Sequence, residues 1–351
     1  MLSFVGADSP SFYNFKGHIE KSADDEITVP PLALRIDRQN LKKEEDTVLT
    51  DSDNDGSFSS FTLGENYYVY ACQPEEGAEP DFIISENSTY PDEIPSGETP
   101  DENNTRKIGG FHYGRIRDMS DAYDDSATID VNIVPNSVWS LNYRPSCDPT
   151  GMVKVSNFWI DIYLPSEGPG SWPDTELVSE FDAVPATGTE DYNWYDFART
   201  FANSDKYMVD YNEWSIAAYG SPEGHENDNN AAWSDSSNSG RTETGTVEQA
   251  VSCYNVVDCA GNVYEYLNEL SYRNSGSTSF NWYDELNTGK DSSKQHGEAY
   301  MQNDNALVAL RAGGSSGDGS DCGARAVSLD TQPWSVFAST SSRGACAHQS
   351  T

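Results

Sequence analysis

Basic residues are scarce in this sequence of 351 residues. Lysine and arginine number 21, against 58 aspartates and glutamates, so the formal net charge is −37. Such a chain is repelled by the phosphate backbone of nucleic acids and by anionic membrane surfaces. We therefore expect no nucleic-acid partner and no membrane-surface function. The acidic residues are spread along the chain, which favours a role in solubility over the alternative, a field that attracts cationic ligands.

Long apolar runs are missing too. No stretch approaches the roughly 18 apolar residues of a membrane-spanning helix. The opening MLSFVGADSPSFYNFKG lacks the basic segment and following apolar run that mark a signal peptide. We expect a soluble chain without membrane insertion or conventional secretion.

The six cysteines are too far apart for a CxxC zinc site or a dense disulfide scaffold. They are Cys72, Cys147, Cys253, Cys259, Cys322 and Cys346. Buried thiols are one interpretation. If disulfides exist, the first pairs to test are Cys253 with Cys259 and Cys322 with Cys346.

Catalytic signatures are absent as well. The five histidines are widely separated, and no HExxH, GxSxG or GxxxxGK[ST] string occurs. Carboxylates are so abundant that any general acid/base pair chosen from the sequence would be arbitrary. We assign no catalytic residue and predict that the chain is not an enzyme.

The segment DSDNDG at residues 51–56 begins like a calcium-binding loop. An EF-hand needs glutamate at its twelfth position, where this chain has Thr62. An acidic turn is the favoured interpretation, and Asp51, Asp53 and Asp55 are kept only as a weak option for calcium. No other cofactor is predicted.

The order of apolar segments predicts two domains of different class. Short β-rich runs (ITVPPLALRI, SFSSFTL, NYYVYACQP and DFIIS) over residues 27–84 predict a small all-β unit. An acidic, proline-rich linker over 86–106 ends that domain, assigned to residues 1–105. Further strand-like segments follow, then helices predicted over 189–203 and from the N-cap Asp210 to Gly220. The fold class is therefore α+β, with a second domain over 106–351.

The last 40 residues differ in composition from the rest. They hold five charged residues, where the chain-wide fraction of 23% would give about nine, and 21 of the 40 are serine, alanine or glycine. Low charge reduces the desolvation penalty of covering a surface, and so many hydroxyls and glycines suit a core poorly. We favour an exposed binding surface over the alternative, a buried core segment.

Three strings in the second half resemble one known fold. They are MVDYNEWSIAAYGSPEG (208–224), DCAGNVYEYLNELSYR (258–273), and LRAGGSSGDGSDCGARA (310–326) followed by SSRGACA. In this order they resemble the helix, the GNVWEW-like strand and the closing segment of the C-type-lectin-like fold. That version of the fold is shared by formylglycine-generating enzymes and by the variable proteins of diversity-generating retroelements.

Upstream strings narrow the resemblance to one branch of that family. RKIGGFHYGRIRD (106–118), VPNSVWSLNYRPSCDPTGMV (134–153) and FWIDIYLPSEG (158–168) are similar to the phage major tropism determinants. The similarity covers roughly residues 40–351, and its specificity lies in the order and number of the strings. Tyr264 and Tyr266 stand where the GNVWEW-like strand usually has tryptophan.

The resemblance implies a viral receptor-binding protein, from a phage or an archaeal virus, whose variable region over about 312–346 is rewritten while its backbone stays fixed. Trp334 and Phe337 are the expected affinity anchors, because aromatic side chains dominate binding hot spots. The matching framework positions are Gly313, Gly314, Arg325 and Arg343, and the glycine pair is expected to take backbone angles that other residues disfavour. The matching variable positions are Ser316, Asp318, Ser320, Asp321, Val327, Leu329, Asp330, Trp334, Ser335, Val336, Phe337 and Ser339.

The implied partners are a host cell-surface protein or glycan and a virion or tail-fibre attachment protein, and a homo-oligomer stays an open option. The implied location is the virion surface, outside the cell after release. Two alternatives remain: an enzyme of the formylglycine-generating type, and a structural virion or surface-layer subunit. The first needs a close cysteine pair in the closing segment, whereas Cys322 has no near neighbour of its kind in the sequence.

Overall fold

A computed structural model describes residues 12–222, 241–273, 279–283, 299–301, 306–318 and 321–349. The chain divides into two compact units. The first comprises Met1–Gly114, Val131–Arg144 and His348–Thr351, and the second comprises Arg115–Asp130 and Pro145–Ala347. No helix within the described residues is long and apolar enough to cross a membrane.

The first unit is built from short antiparallel strands. They are β1 (Tyr13–Phe15), β2 (Glu20–Ala23), β3 (Glu26–Val29), β4 (Leu32–Ile36), β5 (Gln39–Lys43), β6 (Thr47–Leu49), β7 (Asn66–Cys72), β8 (Asp81–Ser85), β9 (Thr105–Ile116), β10 (Asp130–Ile133) and β11 (Trp139–Ser140). They form sheets of order β1-β4-β5, β2-β3-β6 and β10-β9-β7-β8, with β11 also paired to β9. Short 3-10 turns at Asp51–Asp53 and Pro135–Ser137 join them.

One core of aliphatic and aromatic side chains holds these sheets together. Ile27, Val29, Leu34 and Ile84 are among its fully buried members. Residues 57–63 (SFSSFTL), predicted as a strand, form bends instead. Phe58 and Phe61 still pack onto this core. The apolar residues therefore anchor a loop, and burial alone could not distinguish that loop from a strand.

The predicted domain boundary after residue 105 falls at the start of β9. This strand pairs with β7 from Cys72 opposite Thr105 to Asn66 opposite His112, so it is central to the first unit, which continues to Gly114. The predicted linker over 86–106 is a loop of the same unit, where the Asp92 amide donates to Asp55 Oδ2 over 2.6 Å. Its composition resembles a linker because a surface loop is equally polar.

The second unit adds two helices to a larger set of strands. The strands are β12 (Met152–Val155), β13 (Phe158–Asp161), β14 (Pro165–Glu167), β15 (Leu177–Ser179), β16 (Tyr207–Met208), β17 (Tyr264–Arg273), β18 (Asn281–Tyr283), β19 (Ala299–Met301), β20 (Ala306–Gly313), β21 (Gly323–Ser328), β22 (Thr340–Ser342) and β23 (Gly344–Ala347). The helices are α1 (Trp194–Asn203) and α2 (Tyr211–Ala217), with 3-10 turns at Met119–Asp121 and Gly188–Glu190. The sheets have the orders β12-β13-β23-β16, β14-β15 and β18-β19-β21-β20-β17-β22.

Both helices begin at residues whose side chains cap them. Asn193 caps α1, and its side chain accepts from the Tyr195 and Asp196 amides. Asp210 caps α2 through the Glu213 amide, and Glu213 completes the reciprocal capping box. The predicted start of the second helix is confirmed, and Gly220 lies just beyond its end with a positive φ of 82°.

All six cysteines are buried, and no disulfide joins Cys253 to Cys259 or Cys322 to Cys346. The thiol that lies beside Cys346 is that of Cys147. A hydrogen bond from Cys147, together with one from Ser146, lowers the pKa of Cys346 to about 6 despite its burial. Sequence spacing could not reveal this pair, because 198 intervening residues bring β23 back beside the start of the unit.

His112 makes the first unit sensitive to acid. Its ring is 1% exposed and its Nδ1 lies 3.0 Å from Asn66 Oδ1, and burial lowers its pKa from 6.5 to about 3. Between pH 6.5 and about pH 3, His112 is therefore protonated in the unfolded chain but neutral in the folded chain. Stability from this group is complete above pH 6.5 and is lost as the pH falls.

Replacing His112 by glutamine tests this dependence. Between pH 7 and pH 4 the wild type loses roughly 3 kcal/mol more unfolding free energy than the His112→Gln variant does, measured by urea titration. Parallel profiles for wild type and His112→Gln would contradict the assignment.

Candidate functional site

A short exposed segment connects β21 to β22 in the six-stranded sheet. After β20 and β21 the chain runs through residues 329–339 before it enters β22. Trp334, Val336 and Phe337 are 59%, 44% and 41% exposed, and Ala338 and Ser339 are exposed as well. We call residues 334–339 the display segment. It presents contiguous apolar side chains to solvent, as interaction surfaces do.

The backbone of the display segment is fixed by donors outside it. Four carbonyl groups over residues 333–339 accept hydrogen bonds from other parts of the second unit. The pairs are Trp194 N to Pro333 O (3.1 Å), Tyr266 Oη to Ser335 O (3.2 Å), Gly188 N to Phe337 O (3.0 Å) and Tyr264 N to Ser339 O (2.8 Å). None of these bonds uses a side chain of the display segment, so its side chains can change without loss of the anchors.

Arg311 supports the segment from below. Its guanidinium, on β20, donates to Thr340 Oγ1 over 2.8 Å and pairs with the Asp330 carboxylate. The same group lies 4.2 Å from the Tyr264 ring centroid and 5.6 Å from that of Phe337. These distances are within the range of cation–π attraction. One face of Phe337 thus rests on a buried cation.

Asp330 has internal partners rather than a free carboxylate. Its Oδ1 accepts from Ser328 Oγ (2.7 Å) and Thr331 Oγ1 (2.8 Å) as well as from Arg311. Burial raises the pKa of Asp330, but the Arg311 charge and these hydrogen bonds outweigh burial, so the net pKa is lowered. Asp330 is therefore ionised and already satisfied, which suits support of the segment better than ligand contact.

Arg343 joins three parts of the second unit. Its guanidinium is fully buried and forms a two-point ion pair with Glu265, Nε to Oε2 over 2.8 Å and Nη2 to Oε1 over 3.0 Å. It also donates to the carbonyl oxygens of Asp161, Ile162 and Val257. Burial alone would lower its pKa, but the Glu265 charge raises it overall.

The framework glycines have the backbone that the sequence predicts. Gly313 and Gly314 have φ values of 86° and 75°, a region that side chains disfavour. A Cβ on Gly314 would lie 2.5 Å from that of Cys322, and one on Gly313 would lie 2.9 Å from the Cys259 carbonyl oxygen. Arg325 lies half-buried on β21.

The other predicted variable residues lie in several environments. Val327 is 9% exposed inside the sheet, so its position does not suit ligand contact. Ser316, Asp318, Asp321, Leu329 and Ser335 are partly exposed. The Asp318 carboxylate accepts from the amide and hydroxyl of Ser315. Ser320 lies outside the described residues.

The charge-poor tail is only partly a surface. The display segment is exposed. The residues after it are fully buried (Thr340, Ser341, Ser342 and Arg343), and Cys346 is almost fully buried. Small hydroxyl residues here fill a tightly packed strand, with Ser342 Oγ donating to the Tyr266 carbonyl over 2.8 Å. The low charge of the tail thus reflects two environments, and only the middle of it fits the predicted exposed surface.

The weak calcium option has no converging ligand set. Within the described residues no three or more histidine, cysteine, aspartate or glutamate side chains group to hold a metal ion. Asp53 Oδ2 accepts from the Thr50 amide, and Asp55 accepts from Ser57 and Asp92 amides. Asp51, Asp53 and Asp55 thus remain a prediction, and two of the three carboxylates serve the loop itself.

Some residues of the site were not found from the sequence. Three residues hold the display segment in place but belong to no recognisable sequence motif: Arg311, Gly188 and Trp194. Arg311 directly precedes the GG pair in LRAGG, and this spacing is the one signal that points toward it. Tyr264 and Tyr266 were noted as substitutions, yet their role as backbone anchors depends on pairing between distant strands.

Sequence comparisons found similar proteins. Residues 21–140 match the family described as the Mtd second domain. A tail fiber receptor-binding protein of Bordetella phage BPP-1 is 27% identical over 309 residues, which are 82% of this chain and 72% of that protein. The chain is similar to the major tropism determinants.

Solved structures extend the similarity to the fold. The Major Tropism Determinant P3c variant superposes with a TM-score of 0.69 at 22% identity, covering 97% of this chain and 87% of its own. The U1 variant gives the same TM-score and identity over 99% and 88%. The chain therefore has the C-type-lectin-like fold of the major tropism determinants, mostly β-sheet with few helices.

Exchange of display side chains should leave the fold intact. We expect the triple variant Trp334→Ser/Val336→Thr/Ser339→Asn to change the unfolding free energy by less than about 1 kcal/mol, because the replaced side chains are exposed and take no part in the hydrogen bonds that hold the backbone. Denaturant unfolding followed by far-ultraviolet circular dichroism measures this. A loss of several kcal/mol would show that the segment is held by its side chains after all.

Removal of Arg343 should have the opposite result. Arg343→Met leaves the Glu265 carboxylate and three carbonyl groups buried without their donor, and we expect a loss of about 3 to 5 kcal/mol in unfolding free energy. Arg325→Met, at a half-buried arginine, is the matched control and should cost clearly less. Equal losses in the two variants would refute a special role for Arg343.

Proposed function

We propose that this chain is the receptor-binding, tropism-determining protein of a phage virion. It displays a ligand-binding surface on a C-type-lectin-like scaffold and attaches the particle to a host-surface ligand. The observation that carries the proposal is the display segment: exposed apolar side chains on a backbone whose carbonyl groups accept hydrogen bonds from distant parts of the second unit. Aromatic side chains held in this way are typical binding hot spots.

The comparisons support the same function. The BPP-1 relative is described as a tail fiber receptor-binding protein, and the similar structures are tropism determinants. By this relationship we place the chain on the virion surface, joined to a tail-fibre protein. A host protein or glycan is the ligand. Where several copies are mounted on one particle, avidity strengthens a weak single contact.

We further infer that the surface is diversified, as in variable proteins of diversity-generating retroelements. Such rewriting requires positions whose side chains do not hold the fold. Trp334, Val336 and Ser339 satisfy that requirement, whereas Asp330 and Val327 do not, because one is ion-paired to Arg311 and the other is buried. The positions that tolerate exchange therefore concentrate between residues 334 and 339.

The enzymatic alternative finds less support. The formylglycine-generating chemistry implied by the wider fold needs an accessible cysteine pair in the closing segment. Cys322 and Cys346 are both buried and are not bonded to each other. The similar proteins are receptor-binding proteins. The other alternative, a structural subunit, does not account for an exposed aromatic patch.

Adsorption to cells tests the proposal. The purified full chain should bind cells that the encoding virus infects, and Trp334→Ala/Phe337→Ala should weaken that binding at least roughly thirtyfold, a hot-spot loss of about 2 kcal/mol. Tyr90→Ala/Met119→Ala removes two exposed side chains elsewhere and should bind like the wild type. Unchanged binding by the folded Trp334→Ala/Phe337→Ala variant would place the binding surface elsewhere.

A further inference from the structure

An acidic pocket lies in the second unit, on residues close in sequence to two anchors of the display segment. Its volume is about 290 Å³, and its lining residues are Glu167, Trp172, Glu190, Asp191, Tyr192 and Asp196. Four of these six carry carboxylates and two are aromatic. The volume is at the lower end of the roughly 300 to 1,000 Å³ of small-molecule pockets, and it is large enough for one side chain of a larger partner.

The pocket and the display segment are joined through the backbone. Residues 188 and 194 donate amide hydrogen bonds to the carbonyl groups of Phe337 and Pro333, over 3.0 and 3.1 Å. The pocket residues 190–192 lie between these two anchors. A chain spans at most about 3.6 Å per residue, so each of these residues lies within roughly 14 Å of the Phe337 or the Pro333 carbonyl oxygen.

The carboxylates of the pocket differ in their partners. Glu190 is ion-paired with Arg241 over 2.7 Å, and Glu167 accepts from Tyr192 Oη over 3.0 Å. Asp196 is occupied by the cap of α1. The Asp191 side chain is exposed, and its carboxylate has no hydrogen-bond or ion-pair partner within the described residues. Two arginines, Arg241 at Glu190 and Arg199 at the Trp172 ring, stand against the four carboxylates of the lining, which leaves an excess of negative charge.

The aromatic wall already accepts a cation. The guanidinium of Arg199, an exposed residue, lies 5.4 Å from the centroid of the Trp172 ring. The four carboxylates do not converge as a metal site within the described residues. A pocket whose charges are spread over its walls fits an elongated organic cation better than a compact metal ion, because guanidinium and alkylammonium groups combine cation–π contact with separate ion pairs.

We propose that the display segment and this pocket form one docking surface for a host-surface protein that presents an arginine or lysine side chain beside an apolar one. The apolar residue covers Trp334 and Phe337, and the cation enters the pocket between Glu167, Asp191 and Trp172. Acidic and neutral glycans are disfavoured as ligands, since they supply no cation. The inference rests on the proposed function, because it names the chemistry of the partner for the same surface.

Short peptides on the intact chain test the chemistry directly. The probe is Ac-Phe-Gly-Gly-Arg-amide, in which the two side chains stand about 10 Å apart when extended. Its counterparts replace arginine by citrulline, which is neutral and similar in shape, or by glutamate. Saturation-transfer NMR at low and high salt should show binding in the order arginine, citrulline, glutamate, with the arginine peptide most weakened by salt. Equal binding of the three, or none, would overturn the proposal.

A variant with two pocket carboxylates neutralised tests whether the pocket binds the cation. Glu167→Gln/Asp191→Asn should weaken the arginine peptide about three- to tenfold and leave the citrulline peptide unchanged, because two partly exposed charges are removed at constant shape. Asparagine tolerates the positive φ of 66° at position 191. The control Glu75→Gln/Glu76→Gln removes the same charge from exposed sites in the first unit. An equal effect of the control would mean that only the overall field matters, and the pocket assignment would fail.

Cell adsorption separates this inference from the function on which it rests. If both Trp334→Ala/Phe337→Ala and Glu167→Gln/Asp191→Asn reduce adsorption, both stand. If only Trp334→Ala/Phe337→Ala does so, the chain binds its host at the display segment, but the cationic partner is wrong. If neither does so, the receptor-binding proposal fails at this surface.

Discussion

The buried ion pair between Arg343 and Glu265 is the interaction on which the second unit depends. Both side chains are fully buried, and the guanidinium also satisfies carbonyl groups of Asp161, Ile162 and Val257. Such a pair is stable only while every polar group in it has a partner. It therefore fixes the positions of β13, β17 and the chain leading into β23, and through β17 it fixes the donors that anchor the display segment.

This arrangement separates stability from recognition. The fold is held by Arg343, by Arg311 and by main-chain bonds from residues 188, 194 and 264, and recognition is left to side chains that take no part in those bonds. A surface that must change its contacts needs this separation, because most destabilising substitutions act through cores, buried polar networks and caps. Phe337 is the intermediate case, since one face packs on Arg311 and the other faces solvent.

Local sequence signals predicted local structure well. The cap at Asp210, the end of α2 near Gly220 and the positive φ of Gly313 and Gly314 follow from residue types whose preferences act over a few positions. Other features depend on which distant segment lies alongside, and one sequence does not contain that information. Residues 57–63 form bends rather than a strand, the first unit continues to Gly114, Val327 is buried and Asp330 is ion-paired to Arg311.

The charge of the chain bears on the same division. A net charge of −37 makes most of the surface a poor site for any anionic ligand, while the display segment carries none of that charge on its side chains. Apolar contact at residues 334–339 thus escapes the desolvation penalty that an acidic surface imposes. The acidic pocket includes residues 190–192, which lie in sequence between residues 188 and 194, two of the anchors of the display segment. In the proposed docking, this negative field also selects among partners, because like charge opposes anionic partners and opposite charge steers cationic ones to the aromatic side chains.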